Sequence, residues 1–242
     1  MVSCSTWKRG MTMLKGFIFD LDGVVTDSAK YHLAAWGELA KQLGITLPAT
    51  ANEALRGRSR MDSLAIILGY GDQQKQYTEV EKENLADEKN RRYLQLIANM
   101  TPADILPGIS QLLSDAKARH LKLAIASASK NAPTILRQLK LFDQFDAIVD
   151  PASLHRGKPD PEIFIKAQNL LQLQADEVVS FEDASAGIAA INAAGQFSVG
   201  IGDAKALAAA DYFVANTGLL RLKSITTAFT KWQNALNKKG DG

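Results

Sequence analysis

Apolar positions along this chain fall into two rhythms. Gly16-Phe17-Ile18-Phe19 is a continuous apolar run that stops at Asp20-Leu21-Asp22-Gly23, the pattern of a strand buried on both faces and ending in a polar loop. Runs of the same kind recur over Leu121 to Ala126, Ala147 to Val149, Val178 to Phe181, Phe197 to Ile201 and Tyr212 to Val214. Between them the period is helical. Ile109, Leu112, Leu113 and Ala116 recur at one-face spacing, and Pro133 and Pro161 sit where a first helical turn tolerates proline. Strands alternating with helices predict an α/β fold with a parallel sheet covered on both faces.

One segment breaks the alternation. From about residue 28 to 100 the pattern is helical with no convincing strand, opening with Leu33, Trp36, Leu39, Ala40 and Leu43 before Gly44 as a C-terminal cap, and closing with a charged helix through Lys89, Tyr93, Leu94 and Ile97. The expected division is a disordered tail over 1–12, a core made of 13–27 and 101–242, and a helical cap domain over 28–100 inserted after the first strand. Thr101-Pro102 and Leu106-Pro107-Gly108 are the expected points of re-entry into the core.

Composition removes several classes of function. The 242 residues are 46% hydrophobic and 22% charged, ordinary for a globular chain, and the formal net charge is only +2 with no dense basic tract. Such a surface lacks the stripe that nucleic-acid binding requires, so no nucleic-acid partner is expected. No run approaches membrane-spanning length, and the first twelve residues have no apolar stretch of signal-peptide type. The single cysteine, Cys4, excludes an intramolecular disulfide and suits a reducing compartment, with cytoplasm as the expected location and no membrane partner.

Polar residues that end apolar runs carry the chemistry, because open parallel sheets bind ligands beyond the carboxyl ends of their strands. Asp20 and Asp22 follow the first run, Ser127 the second, Lys158 the third and its loop, and Glu182-Asp183 the fourth. Taken singly, each has a plain structural role as a turn former, a helix cap or a solvated lysine. Together they bring carboxylates, an amine and a hydroxyl to one crevice, a combination suited to a divalent cation and a phosphate. Competing phosphate motifs are absent: there is no Gly-x-x-x-x-Gly-Lys-Ser/Thr loop, and Gly200-Ile201-Gly202 is followed by Lys205 where a dinucleotide fingerprint needs glycine.

Phe19-Asp20-Leu21-Asp22-Gly23, Ala126-Ser127-Ala128-Ser129-Lys130-Asn131, Gly157-Lys158-Pro159-Asp160-Pro161 and Phe181-Glu182-Asp183 together resemble the four motifs of the haloacid dehalogenase (HAD) superfamily, over residues 13 to about 214. The resemblance implies a HAD-like Rossmannoid core in which Asp20 is the nucleophile and forms an aspartyl phosphate, and Asp22 is the general acid and base. It also implies Mg2+ held by Asp20, the backbone carbonyl of Asp22, Glu182 and Asp183, with Ser127 and Lys158 stabilising charge on the transferring phosphoryl group.

Within the superfamily, the cap resembles that of the β-phosphoglucomutase family. Thr26-Asp27-Ser28-Ala29-Lys30-Tyr31-His32 with Trp36, then Leu55-Arg56-Gly57-Arg58-Ser59-Arg60 with Ser63, then Lys89-Asn90 with Tyr93, match its successive elements. Arg56 stands where a lysine is expected and Ser28 where a threonine is usual. The implied substrate-binding set is His32, Trp36, Arg56, Gly57, Arg60, Ser63, Lys89, Ala128, Ser129, Lys130 and Asn131. The implied activity interconverts β-glucose 1-phosphate and glucose 6-phosphate, with β-glucose 1,6-bisphosphate as phosphorylating activator; a monomer is expected, since a two-lobed enzyme with a moving cap needs no partner. A sugar-phosphate phosphatase would use the same Asp20 and Asp22 while admitting water to the intermediate.

Overall fold

The computed structural model describes residues 13–56 and 58–240. The expected tail, residues 1–12, lies outside the described residues, as does Gly57. Six strands, β1 (Gly16–Phe19), β2 (Lys122–Ile125), β3 (Ala147–Ile148), β4 (Val178–Glu182), β5 (Phe197–Ile201) and β6 (Tyr212–Val214), form one parallel sheet in the order β3-β2-β1-β4-β5-β6. Every apolar run read as a strand is one.

Successive residues of the central strands face opposite layers, as a pleated backbone requires. Phe17, Phe19, Leu123, Ile125, Val179 and Phe181 pack on one face against α5 (Ile109–Ala118), α6 (Ala132–Gln138) and α9 (Leu222–Gly240). Ile18, Ala124 and Val178 pack on the other against α7 (Glu162–Leu170) and α8 (Ser185–Ala193). Phe19 stacks on Phe181 at 4.5 Å between ring centroids, and Phe17 meets Phe181 edge-on at 5.0 Å. Pro133 falls in the first turn of α6, as expected, whereas Pro161 is the residue that caps α7 rather than one inside its first turn.

Of the helices between β1 and β2, the first four form the inserted cap: α1 (Ala29–Gln42), α2 (Ala51–Leu55), α3 (Arg60–Tyr70) and α4 (Glu79–Ile97). They have a small core of their own built on Trp36, Leu39, Ile45, Leu64, Ile67 and Leu68. Gly44 follows α1 with φ +71°, the left-handed conformation that ends a helix at lowest cost for glycine. Thr78 and Glu81 close a capping box at the start of α4.

The two chain segments joining cap to core are tied to each other. Thr26 Oγ1 donates to the carbonyl of Asp104 at 2.7 Å, Thr26 bridges Ile105, and Leu106 N–H donates to the carbonyl of Val25 at 2.9 Å. This clasp fixes where the cap attaches without adding a wide interface.

Because Phe181 lies under both motif-bearing strands, Phe181→Ala should cost about 3–5 kcal/mol of stability. Urea denaturation of the two proteins measures it, and a loss below about 1 kcal/mol would show that the three-phenylalanine layer does not support the site.

Candidate active site

β1 pairs in register with β2 and β4, so that Phe19 lies opposite Ile125 on one side and Phe181 on the other. The residues that come next emerge side by side: Asp20 after β1, Ser127 after β2, Glu182 at the last position of β4 with Asp183 behind it. Lys158, on the loop between β3 and α7, completes the edge. Its ammonium donates to Asp20 Oδ1 at 2.6 Å and to Glu182 Oε2 at 2.7 Å, with only 2% of the residue exposed. Burial alone would lower its pKa, but the two carboxylates outweigh burial and hold it well above the ordinary lysine value.

Asp20, Glu182 and Asp183 present ligand oxygens within 4.8 Å of one another. Burial, then the charges of Glu182 and Asp20, push Asp183 up to about 8, with Arg56 opposing the shift. A divalent cation relieves crowding of this kind, and an all-oxygen donor set suits a hard ion such as magnesium. The cradle for these carboxylates depends on two glycines. Glu182 Oε1 accepts from the N–H groups of Asp183 and Ala184, at 3.3 and 3.2 Å, where α8 begins, and a methyl group at Gly187 would overlap the carboxylate. A methyl at Gly23, which has φ +81°, would overlap that of Asp183.

The Asp22 carboxylate turns away from this group and toward the cap. Ser28 donates to its Oδ1, and His32 Nε2 lies 3.7 Å from its Oδ2. His32 Nδ1 is 2.6 Å from Lys89 Nζ, and its ring stacks on Tyr93 at 3.8 Å. Protonated Lys89 donating to Nδ1 assigns the ring proton to Nε2, the nitrogen facing Asp22. Lys89 in turn lies over Trp36 and Tyr93, at 4.6 and 4.7 Å from their ring centroids.

These contacts set three protonation states. Burial and the neighbouring Asp20 raise Asp22 to about 6, while Ser28, Lys89 and Lys158 pull the other way. Burial, then Lys89 and Arg60, hold His32 well below its ordinary range, so it is neutral. Burial and Arg60 bring Lys89 down to about 7 against the attraction of Asp22. Asp22 is thus placed to exchange a proton near neutral pH.

A cleft between cap and core gathers most of the residues singled out from the sequence. Asp20 and Asp22 line it from the core, and Ala128, Ser129, Lys130 and Asn131 from the loop after β2. His32, Trp36, Arg56, Arg60, Ser63 and Lys89 line it from the cap. Ser127, Lys158 and Glu182 are buried beside this lining rather than in it. The loop after β2 is held by two successive side-chain turns, Ser129 N–H to Ser127 Oγ at 3.1 Å and Asn131 N–H to Ser129 Oγ at 3.2 Å. Asn131 then donates its side-chain amide to Asn90 Oδ1 at 2.8 Å, joining that loop to α4.

Two residues behave differently from the plain sequence reading. Trp36 is both cap core, 3% exposed, and cleft wall. Arg56, expected to meet the sugar, directs its guanidinium to Asp183 at 3.2 Å. The sequence reading left Arg58 out of the site, yet it lines the cleft and donates to the backbone carbonyl of Lys158 at 3.2 Å. The signal available for it was arginine at 56, 58 and 60 of one short polar segment. Asn90 and Tyr93, seen in the sequence only as part of a cap motif, prove to hold Asn131 and His32.

Residues 14–195 match the haloacid dehalogenase-like hydrolase family. The chain is 47% identical over 210 residues to a β-phosphoglucomutase of Bacillus subtilis, covering 87% of this chain and 93% of that protein. A crystal structure of β-phosphoglucomutase from Clostridium difficile superposes with a TM-score of 0.90 at 44% identity, covering 91% of this chain and 99% of the other. A phosphorylated-carbohydrate phosphatase of Thermotoga maritima is 28% identical over 184 residues, covering 75% of this chain and 82% of that one.

Lys89 generates a stability prediction whose sign follows from its depressed value. Between about 7 and its ordinary 10.5 the unfolded chain carries a proton on Lys89 that the folded chain lacks, so this group makes stability rise with pH across that window. Lys89→Met should flatten that rise and raise the melting temperature at pH 7 while weakening turnover. Thermal melts from pH 6 to 10 measure it, and parallel curves for the two proteins would refute it.

Proposed function

The chain belongs to the haloacid dehalogenase-like hydrolase family, and we propose that within it the protein works as a β-phosphoglucomutase, interconverting β-glucose 1-phosphate and glucose 6-phosphate. The observation that carries this reading is the lining of the cleft. Besides the paired aspartates, the cleft is lined by Arg60, Ser63, Ser129, Lys130 and Asn131, a second set of phosphate donors. A phosphatase needs only one such set. The similarity to the B. subtilis and C. difficile enzymes supports the same conclusion.

In this reading Asp20 carries the phosphoryl group as an aspartyl phosphate. The O6 hydroxyl of β-glucose 1-phosphate attacks the phosphorus, Asp22 accepts the hydroxyl proton, and the bond to Asp20 breaks, leaving β-glucose 1,6-bisphosphate. The bisphosphate turns around in the cleft. Asp20 then attacks the C1 phosphate while Asp22 returns the proton to the departing C1 oxygen, releasing glucose 6-phosphate and restoring the phosphorylated enzyme. Lys158 and Ser127 stabilise charge on the transferring group, and His32 and Lys89 orient Asp22.

Asp20, Glu182 and Asp183, with the backbone carbonyl of Asp22, would hold Mg2+, which neutralises charge between nucleophile and phosphate. Residues 28–100 act as a cap that closes over the intermediate and keeps water out, with hinges near Ser28 and Met100. Trp36, Ala128 and their neighbours complete the sugar site. Among the described residues no helix is long and apolar enough to cross a membrane, and a monomer working on free sugar phosphates fits this arrangement.

Phosphorus NMR with Mg2+, β-glucose 1-phosphate and a trace of glucose 1,6-bisphosphate should show glucose 6-phosphate accumulating with little free phosphate. Free phosphate as the main product would instead make the protein a sugar-phosphate phosphatase. Asp20→Ala should lose activity by more than about a thousandfold, because the covalent route is removed. Chelation of the metal should abolish turnover reversibly, and turnover that survives a chelator would refute the metal assignment.

A further inference from the structure

Two arginines of the cap reach across to the core and take chemically different partners. Arg56 pairs with the Asp183 carboxylate at 3.2 Å, within the acidic group assigned to the metal. Arg58 donates through Nη1 to the backbone carbonyl of Lys158, also at 3.2 Å. A cation that takes Asp183 competes with Arg56 for the same oxygens. It has no such claim on a carbonyl whose residue directs a positive ammonium at Asp20 and Glu182.

The position of Arg58 gives this contact leverage at both ends. It immediately precedes Ser59, whose side chain accepts from Asp62 N–H at 3.1 Å and so caps α3, the helix whose first turn carries Arg60 and Ser63. On the core side the two loops approach closely, since a Cβ added at Gly157 would stand 3.1 Å from Asp62 Oδ2. The cap loop therefore meets the Lys158 loop at two adjoining points, one an arginine-carbonyl bond and the other a close approach that glycine permits.

We propose that Arg58 is a positioning residue of the phosphoryl-transfer cycle, latching the cap onto the carbonyl of Lys158 so that the cleft stays closed whether or not the metal has displaced Arg56 from Asp183. The latch sets α3, with Arg60 and Ser63, at a fixed height above Asp20, and it holds the loop that delivers the Lys158 ammonium. Loss of the latch leaves the nucleophile Asp20 in place at the end of β1 and lets water reach the aspartyl phosphate. In its catalytic consequence the proposal rests on the mutase reading above.

The test uses the full chain and its Arg58→Ala, Arg58→Lys and Arg56→Ala variants. With β-glucose 1-phosphate and glucose 1,6-bisphosphate, Arg58→Ala should raise the ratio of free phosphate to glucose 6-phosphate about fivefold, the effect of losing one partly exposed charge-assisted hydrogen bond. Arg58→Lys should recover part of it. Small-angle X-ray scattering should show a larger radius of gyration for Arg58→Ala both with Mg2+ and without, and no change for Arg56→Ala under either condition. Wild-type scattering from a folded Arg58→Ala under both conditions overturns the latch, whatever the product ratio. If Arg58→Ala fails to fold, Arg58→Lys decides the question by whether its scattering and product ratio move in the same direction. If the wild type itself releases only phosphate, the mutase reading falls, and scattering alone decides the latch.

Discussion

Three carboxylates and one lysine share a buried strand edge, and the rest of the site is arranged around keeping that crowd together. Two unit charges 4.8 Å apart, the outer limit found among Asp20, Glu182 and Asp183, repel by about 3 kcal/mol at an effective dielectric near 20. Lys158 offsets the repulsion between Asp20 and Glu182 by bonding both, while the amides at the start of α8 hold the second oxygen of Glu182. Burial and the neighbouring carboxylates drive Asp183 toward its protonated form, against the opposing charge of Arg56. In-register pairing of β1 with β4 creates the crowd, so the sheet and the chemistry have a common cause.

The roof of the cleft has the opposite sign. Lys89 is 2% exposed and surrounded by Trp36, Tyr93 and His32, with Arg60 near enough to depress its pKa. A buried cation facing another cation is as unfavourable as the carboxylates below it, and it is compensated when an anion enters. A cleft acidic at its floor and basic at its roof orients a ligand that carries phosphate at one end and needs a cation at the other. It suits a bisphosphate that must occupy the cleft in two directions better than a monophosphate that visits once.

How much of this was legible in the sequence follows from the range of each interaction. Strand positions were readable because burial on both faces leaves unbroken apolar runs, and Gly16 to Phe19 is as clear as a run of four can be. The core motifs were readable because they sit directly after those runs, where the strand itself fixes their direction. Contacts made across the cleft were not readable. That Arg56 pairs with Asp183 and Arg58 with the Lys158 carbonyl depends on how a polar loop settles on a surface 100 or more residues away along the chain, and an arginine in such a loop looks the same whether it is solvated or docked. Trp36 shows the converse: its helical spacing correctly marked it as core, but nothing in that spacing says that its edge also walls a cleft.

The point at which the cap is inserted sets Asp22 apart from the other carboxylates and suits it to the acid/base role proposed for it. The cap begins six residues after Asp22, and Ser28, which donates to Asp22 Oδ1, and His32, whose Nε2 lies 3.7 Å from Oδ2, sit at its very start, immediately before and within the first turn of α1. Thr26 is meanwhile pinned to Asp104 and Ile105 on the returning segment. Any rotation of the cap about that clasp must therefore carry Ser28 and His32 with it, while Asp20 stays fixed by Lys158 on the rigid sheet. The proposed nucleophile and the proposed acid/base are only two residues apart, yet one answers to the core and the other to the cap. Asp22 is thus held in the orientation described here when the cap is closed, the same state in which water is excluded, so proton transfer and protection of the intermediate depend on a single motion.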